Sequence, residues 1–266
     1  MAHLLIFGLG YSAKRVRAAT EALGWRVTAT GQDGELDFAD RQGVVSALGH
    51  ATHVLSSVPP VAESDLVLDR YGEALADFAE RGGWLGYLSS TGVYGDCGGA
   101  WVDETAPVGH GRRSARVLCD SQWLERGARV FRLPGIYGLG RSPLERVLRG
   151  TAHRVDVPGQ VFSRIHVDDL AAGVVAAFDA PPGAYNLADD LPASQSTVIE
   201  EACRLLRILP PPLQTLEEAG LSPQARAFYA ENRRVANGKA RRVLGWRPRY
   251  PTYREGLLSV LRRTSL

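Results

Sequence analysis

A short apolar run that ends in glycine and turns straight into a helix constrains this chain more than any other feature. Leu4 to Phe7 is apolar, Gly8, Gly10 and Ala13 follow in the spacing G-x-G-x-x-A, and Lys14 to Leu23 is helical in character. The run suits a parallel strand buried on both faces. Gly8 permits a tight turn, Gly10 has no Cβ to hold the backbone away from a pyrophosphate, and Ala13 lets the helix pack close to the strand. The helix N-terminus then offers free N–H groups to phosphate oxygens. In the order strand, glycine turn, helix, this spacing is the fingerprint of a dinucleotide site. Gly8, Gly10, Tyr11, Ser12 and Ala13 are therefore expected against the cofactor.

The segments that follow keep alternating between strand and helix. After Gly24, Trp25 to Thr30 predicts a second strand. Just past such a strand an acid selects NAD through the ribose 2′-hydroxyl, whereas an Arg accommodates the 2′-phosphate of NADP. Here Gly31 and Gln32 hold the slot and Asp33 comes late, so both cofactors stay open. Asp37, with Phe38 beside it, is either an adenine contact or a solvated turn acid, and a helix is expected over about 41–48. His53 to Pro60 is a fourth-strand candidate. It places Ser57, Val58 and Pro59 at the carboxyl edge, where open α/β sheets bind ligands.

A long helix over about 64–81 leads to Trp84–Gly95, an apolar strand that ends in hydroxyl residues. Ser89, Ser90 and Thr91 there are either ligand contacts or strand-end caps. Arg129 to Arg141 is a strand running into a Gly-rich loop. Ser163 to Ala171 enters a helix through about Phe178, with Asp168 or Asp169 as its natural cap. Ala184 to Ala188 reads as a short strand, and the region from Leu191 to about Leu244 as helical and Arg-rich, broken by Pro210-Pro-Pro212. This alternation implies an α/β fold, a parallel sheet covered on both faces, with a smaller, mainly helical C-terminal part closing over it.

Charge and cysteine usage narrow the partners. The 266 residues carry 31 basic and 29 acidic side chains, a net charge of +2, which gives no reason to expect nucleic acid or a membrane surface. Lys14 and Lys239 are the only lysines; the remaining basic residues are Arg. Cys97, Cys119 and Cys203 are far apart and in no ligand-like spacing, so free thiols in a reducing, cytoplasmic compartment and no metal are expected. No run approaches the roughly 20 apolar residues of a membrane helix.

Several motifs in one order carry a family resemblance: Gly8-x-Gly10-x-x-Ala13, Ser89-Ser-Thr-Gly-Val-Tyr-Gly95, Arg132-Leu-Pro-Gly-Ile-Tyr-Gly138, Arg164-Ile-His-Val-Asp-Asp-Leu170 and Tyr185-Asn186. With the closing segment Asn237 to Leu257, the chain resembles the extended short-chain dehydrogenase/reductases, the NAD-dependent epimerase/dehydratase group, as an atypical member. The resemblance implies a Rossmann-type doubly wound sheet over 1–145 plus about 164–188, and a substrate part over about 146–163 and 189–266. It implies NAD or NADP bound by the glycine turn, Gln32, Asp37, Phe38, Ser57 to Pro59, Ser89 and Pro134, Gly135 and Ile136, a small-molecule substrate, and a homodimer.

Such chemistry uses a hydroxyl residue to orient the substrate and a Tyr-x-x-x-Lys pair for proton transfer. Ser90 fills the hydroxyl slot. The pair's positions hold Arg112 and Arg116, and an Arg stays protonated and cannot act as the acid. Tyr94 and Tyr137 are the alternative proton donors, or packing residues. Thr91, Arg112, Arg116, Arg141, His166 and Asn186 are the candidate substrate contacts. Two functions therefore stand open: an oxidoreductase or epimerase of atypical type, and a catalytically silent NAD(P)-binding sensor or interaction module.

Overall fold

A computed structural model describes residues 2–109 and 114–264. Its centre is a parallel sheet of β1 (His3–Phe7), β2 (Arg26–Ala29), β3 (His53–Ser56), β4 (Trp84–Ser90), β5 (Arg129–Leu133) and β6 (Gly183–Asn186). The spatial order is β2-β1-β3-β4-β5-β6. The chain runs outward from β1 to β2, returns across it to β3, and continues in the opposite direction. That reversal between β1 and β3 is the switch point at which open α/β sheets bind ligands.

Why β1 is central follows from its sequence. All five residues are buried, and they alternate between the two faces. Leu4 and Ile6 pack with α1 (Tyr11–Glu21) and α6 (Val167–Ala176) on one side. Leu5 and Phe7 pack on the other with α2 (Arg41–His50), α3 (Leu66–Glu80) and α4 (Ser114–Glu125). Helix α3 begins where the Asp65 carboxylate accepts the amides of Val67 and Leu68. The same carboxylate accepts Trp123 Nε1 at 2.8 Å, tying the start of α3 to α4.

A separate apolar core joins α5 (Pro143–Leu148), α7 (Gln195–Leu206) and α8 (Tyr253–Arg263), through residues such as Leu144, Ile199 and Leu257. It stands beyond the carboxyl edge of the sheet. Between the two lie short parallel ladders, of which Gly135–Tyr137 against Arg164–His166 matters most for the site.

The observed elements correct the sequence reading in four places. Residues 36–40 form no strand, only a bridge from Leu36 to Thr30, so His53–Ser56 is the third strand and not the fourth. It stops at Ser56, before the prolines. Within 191–244, Leu213–Gln214 and Arg234–Val235 pair as strands with segments distant in sequence, which periodicity cannot show. Helix α6 is capped by neither aspartate. His166 Nδ1 accepts the Asp168 amide at 3.2 Å, while Asp168 faces Arg15 and Arg263, and Asp169 accepts the amides of Arg249 and Tyr250.

Candidate functional site

The glycine turn joins the end of β1 to α1. Gly8 has φ +82°, in the left-handed region, and a Cβ there would stand 3.0 Å from the Val58 side chain. Gly10 differs: its backbone is extended, at φ −82°, and a Cβ would meet nothing within 4 Å. Open space therefore lies over Gly10 at the start of α1. That helix has no side-chain cap, so its first N–H groups are left to an incoming acceptor. Ser57 closes the other side of the turn by donating to the Gly8 carbonyl at 2.6 Å. These features fit a pyrophosphate on the turn.

The remaining nucleotide-side candidates sit around the same edge. Ala13 is fully buried against the sheet, and Ser12 and Tyr11 are half-exposed on the first turn. Gln32 and Pro59 are exposed. Asp37 Oδ1 accepts the Ala39 amide at 2.8 Å, a turn-acid geometry, while Phe38 stands edge-on to Phe7 and Tyr71. Past β2, Asp33 is paired with Lys14 and Glu35 with Arg17.

A cleft of about 910 Å³ opens where the carboxyl edges of β4 and β5 meet the C-terminal core. Ser90, Thr91, Pro134, Gly135, Ile136, Tyr137 and Arg141 all line it, so the structure brings these candidates together. Ser90 Oγ accepts the Gly92 amide at 3.1 Å and remains at the cleft wall. Tyr11 stitches the glycine turn to this wall. Its hydroxyl donates to the Leu139 carbonyl at 3.1 Å, and the Arg141 guanidinium lies 5.9 Å over its ring.

Other candidates are placed elsewhere. Ser89 donates to Asp120 Oδ2 at 2.6 Å inside the protein, so its hydroxyl faces α4 and not a ligand. Tyr94 is buried; its hydroxyl donates to Asn186 Oδ1 at 2.8 Å and accepts from Arg132 at 3.1 Å. Burial raises its pKa first of all, which makes it a poor acid. Asn186 is fully buried and reaches Tyr94 and the Ala236 carbonyl, away from the cleft lining. Arg116 donates to Tyr87 Oη at 3.2 Å. His166 is fully buried at the α6 cap, with burial lowering its pKa to about 4. Arg112 lies outside the described residues. Tyr137 lines the cleft, yet its hydroxyl is buried without a partner and burial strongly raises its pKa.

Sequence reasoning missed the network beneath the cleft. Asp120 and Arg132 form a two-pronged pair, Nη2 to Oδ1 at 2.8 Å and Nε to Oδ2 at 3.2 Å, with side chains 2% and 4% exposed. Through Ser89, Tyr94 and Asn186 this pair fixes the ends of β4, β5 and β6 against α4. It also missed Arg164 and Asp189. The visible signal was a charged residue inside the apolar Arg164-Ile-His-Val run; nothing marked Asp189.

Comparison with known proteins agrees with the architecture. No protein-family model matches the chain. It is 39% identical to a conserved protein of unknown function from Silicibacter pomeroyi DSS, over the whole of both chains, with a TM-score of 0.89. The human epimerase family protein SDR39U1, solved with NADPH, shares 15% identity over 98% of this chain and 99% of its own, at a TM-score of 0.77. The UDP-glucose 4-epimerase of Thermus thermophilus, solved with NAD, shares 19% over 99% and 100%, at 0.72. A curated 3-diazoavenalumate denitrifying reductase from Streptomyces is 34% identical over 140 residues, so the match spans 48% of this chain and 45% of that protein. The chain therefore belongs to the family of the Silicibacter pomeroyi protein, within the fold of the NAD-dependent epimerase/dehydratase group of extended short-chain dehydrogenase/reductases.

Proposed function

We propose that the chain is an NAD(P)-dependent oxidoreductase or epimerase of atypical type, acting on a small molecule held in the cleft. One observation carries this reading: the glycine turn and the cleft are joined through Tyr11, which bonds Leu139 and underlies Arg141. Gly10 and the start of α1 would hold the pyrophosphate of a bound dinucleotide, and Pro134, Gly135, Ile136 and Ser90 would lie at its reactive end. When bound, NAD(P) supplies the hydride acceptor or donor. Ser90, at the cleft wall, orients the substrate oxygen. The NADPH and NAD held by fold relatives, and the reductase name of the partial relative, support the same kind of chemistry here.

A second reading rests on its own observation. The Lys slot holds Arg116, whose guanidinium bonds Tyr87, and not a group in the cleft. On that reading the chain binds NAD(P) without turnover. The deciding experiment is calorimetric titration with NAD(H) and NADP(H) on the wild type and on Gly10→Glu. Space over Gly10 lets the variant fold while its carboxylate occupies and repels the pyrophosphate position. Binding by the wild type alone is expected. No binding of either cofactor to the wild type overturns both readings. Binding without oxidation or reduction of the cofactor, across carbonyls, alcohols and nucleotide sugars, selects the second.

A further inference from the structure

Arg164 is buried in the cleft wall, 6% exposed, and its hydrogen bonds among the described residues all go to neutral oxygens. Its Nη1 donates to the carbonyls of Phe162 at 2.8 Å and Ala193 at 2.9 Å. Its Nη2 donates to the Ser194 carbonyl at 3.4 Å and to Gln195 Oε1 at 3.3 Å. The carboxyl that acts on it, Asp189, is not bonded to it. Asp189 Oδ1 accepts the Leu191 amide, and Oδ2 is buried with no partner among the described residues. Burial lowers the Arg164 pKa, with Asp189 acting against that shift, and a guanidinium buried among dipoles without an ion pair is costly until an anion meets it. Burial also raises the Asp189 pKa to about 8, with Arg164 opposing that shift, so the carboxyl is a weakened counter-charge as well as an unbonded one.

The surroundings repeat the pattern. The Tyr137 hydroxyl, in the same electrostatic neighbourhood as Arg164 and Asp189, is a second buried polar atom without a partner. Arg141, Arg146 and Arg149 also line the cleft and have no ion pair among the described residues. Glu145, which stands among them and accepts the Gly140 amide at 2.8 Å, offsets one of these three charges. Arg233 is already paired, to Glu231 at 2.9 Å. The cleft therefore has an excess of positive charge, fixed in its wall and exposed at its mouth.

From these contacts we infer that the substrate carries an anionic group, carboxylate or phosphate, and that Arg164 is the residue that selects for it. The inference rests on the cleft being the substrate site, as proposed above. The stem of Arg164 lies against Gly135, where a Cβ would stand 3.7 Å from its Cγ. The anion is thus held within reach of the strand edge where the cofactor ring is expected. The mouth arginines draw the ligand in, and the wall arginine compensates its charge in a low dielectric.

The test uses the full-length protein, with and without saturating cofactor, and three probes: malonate, inorganic phosphate and neutral malonamide. Calorimetry is expected to show one-to-one binding of malonate or phosphate at millimolar concentration, and none of malonamide. Whichever anion binds names the group. Arg164→Gln is expected to weaken that binding by roughly tenfold or more, the loss of a charge-assisted contact, with cofactor affinity unchanged. Arg164→Lys, which keeps the charge, should restore part of it. If Arg164 merely brackets the loops at 162 and 193–195, both variants lower the melting temperature and neither changes anion affinity in the folded protein. That outcome overturns the inference. So does a wild type that binds cofactor but neither anion, which leaves the oxidoreductase reading standing. Should Arg164→Gln fail to fold, a crystal of the wild-type complex soaked in the binding anion decides. Density on Arg164 supports the assignment, and density elsewhere sinks it.

Discussion

The glycine turn and the cleft are built by different means. At the turn the backbone makes the site: Gly8 in a left-handed conformation, Gly10 under open space, and an uncapped helix start. The acids past β2 are tied to the exposed Lys14 and the half-buried Arg17, and neither pair is buried. In and beneath the cleft, side chains make it. Asp120, Arg132, Tyr94 and Asn186 form a closed polar network in the interior, and Arg164 is suspended among carbonyls. Backbone sites should be sensitive to one Cβ and indifferent to surface charge. Side-chain networks should show the reverse.

At fixed neutral pH, the largest single loss of stability is expected at Asp120. Removing one member of a buried, two-pronged ion pair leaves the other charged and unpaired, which costs about 3–5 kcal/mol. Asp120→Ala strands Arg132 and also frees Ser89. Urea unfolding of the variant should show a loss of that size with the m-value unchanged. A loss below about 1 kcal/mol, the scale of a surface pair, would mean water reaches the network and the contrast drawn above is wrong.

That contrast also explains what could be read from the sequence. The glycine turn was legible because its determinants are local: a Cβ, a φ angle and a helix start within six residues. Strands β1, β4 and β5 were legible from their apolar runs, and α3 from its length and the Gly82-Gly83 stop. The polar network was not, because its bonded partners are 12 to 92 residues apart. A serine at a strand end looks the same whether it faces a ligand cleft, as Ser90 does, or a buried carboxylate, as Ser89 does. The His166 cap was missed for a related reason. Two acids in the first turn of α6 signal an N-terminus, but His166 Nδ1 takes the amide and releases Asp168 to bridge Arg15 and Arg263.

Asp189 makes stability depend on pH. In the unfolded chain Asp189 ionises near 3.8, and in the fold near 8. The native state thus holds a proton that the unfolded state has lost, so stability falls as pH rises between these values, by at most about 1.4 kcal/mol per pH unit. Asp189→Asn has no such proton. Its stability relative to the wild type should climb from pH 4 to pH 8 and level off above. A flat difference would show that Arg164 is paired with an ionised Asp189 after all.

Smaller effects separate the two glycines. Gly8→Ala forces an L-residue to φ +82° and should lose about 1–2 kcal/mol. Gly10→Ala meets nothing within 4 Å at an ordinary φ of −82°, so its stability should stay within about 0.5 kcal/mol of the wild type. Cofactor affinity should nevertheless fall in both, since each Cβ stands at the phosphate turn. If Gly10→Ala binds NAD(P)H as well as the wild type does, the pyrophosphate does not lie over Gly10.

The smallest change is expected at Lys14, whose ammonium stands 2.6 Å from the Asp33 carboxylate. By distance alone this pair is closer than Asp120 with Arg132. Its side chains, however, are 51% and 57% exposed, so water already solvates both charges and salt screens them. Lys14→Gln should therefore shift the unfolding free energy by about 0–1 kcal/mol, and the shift should shrink further in high salt. Measured beside Asp120→Ala, the pair of variants tests whether burial or distance sets the value of an ion pair in this molecule. Equal losses would locate the stability of the fold at the nucleotide rim as much as beneath the cleft.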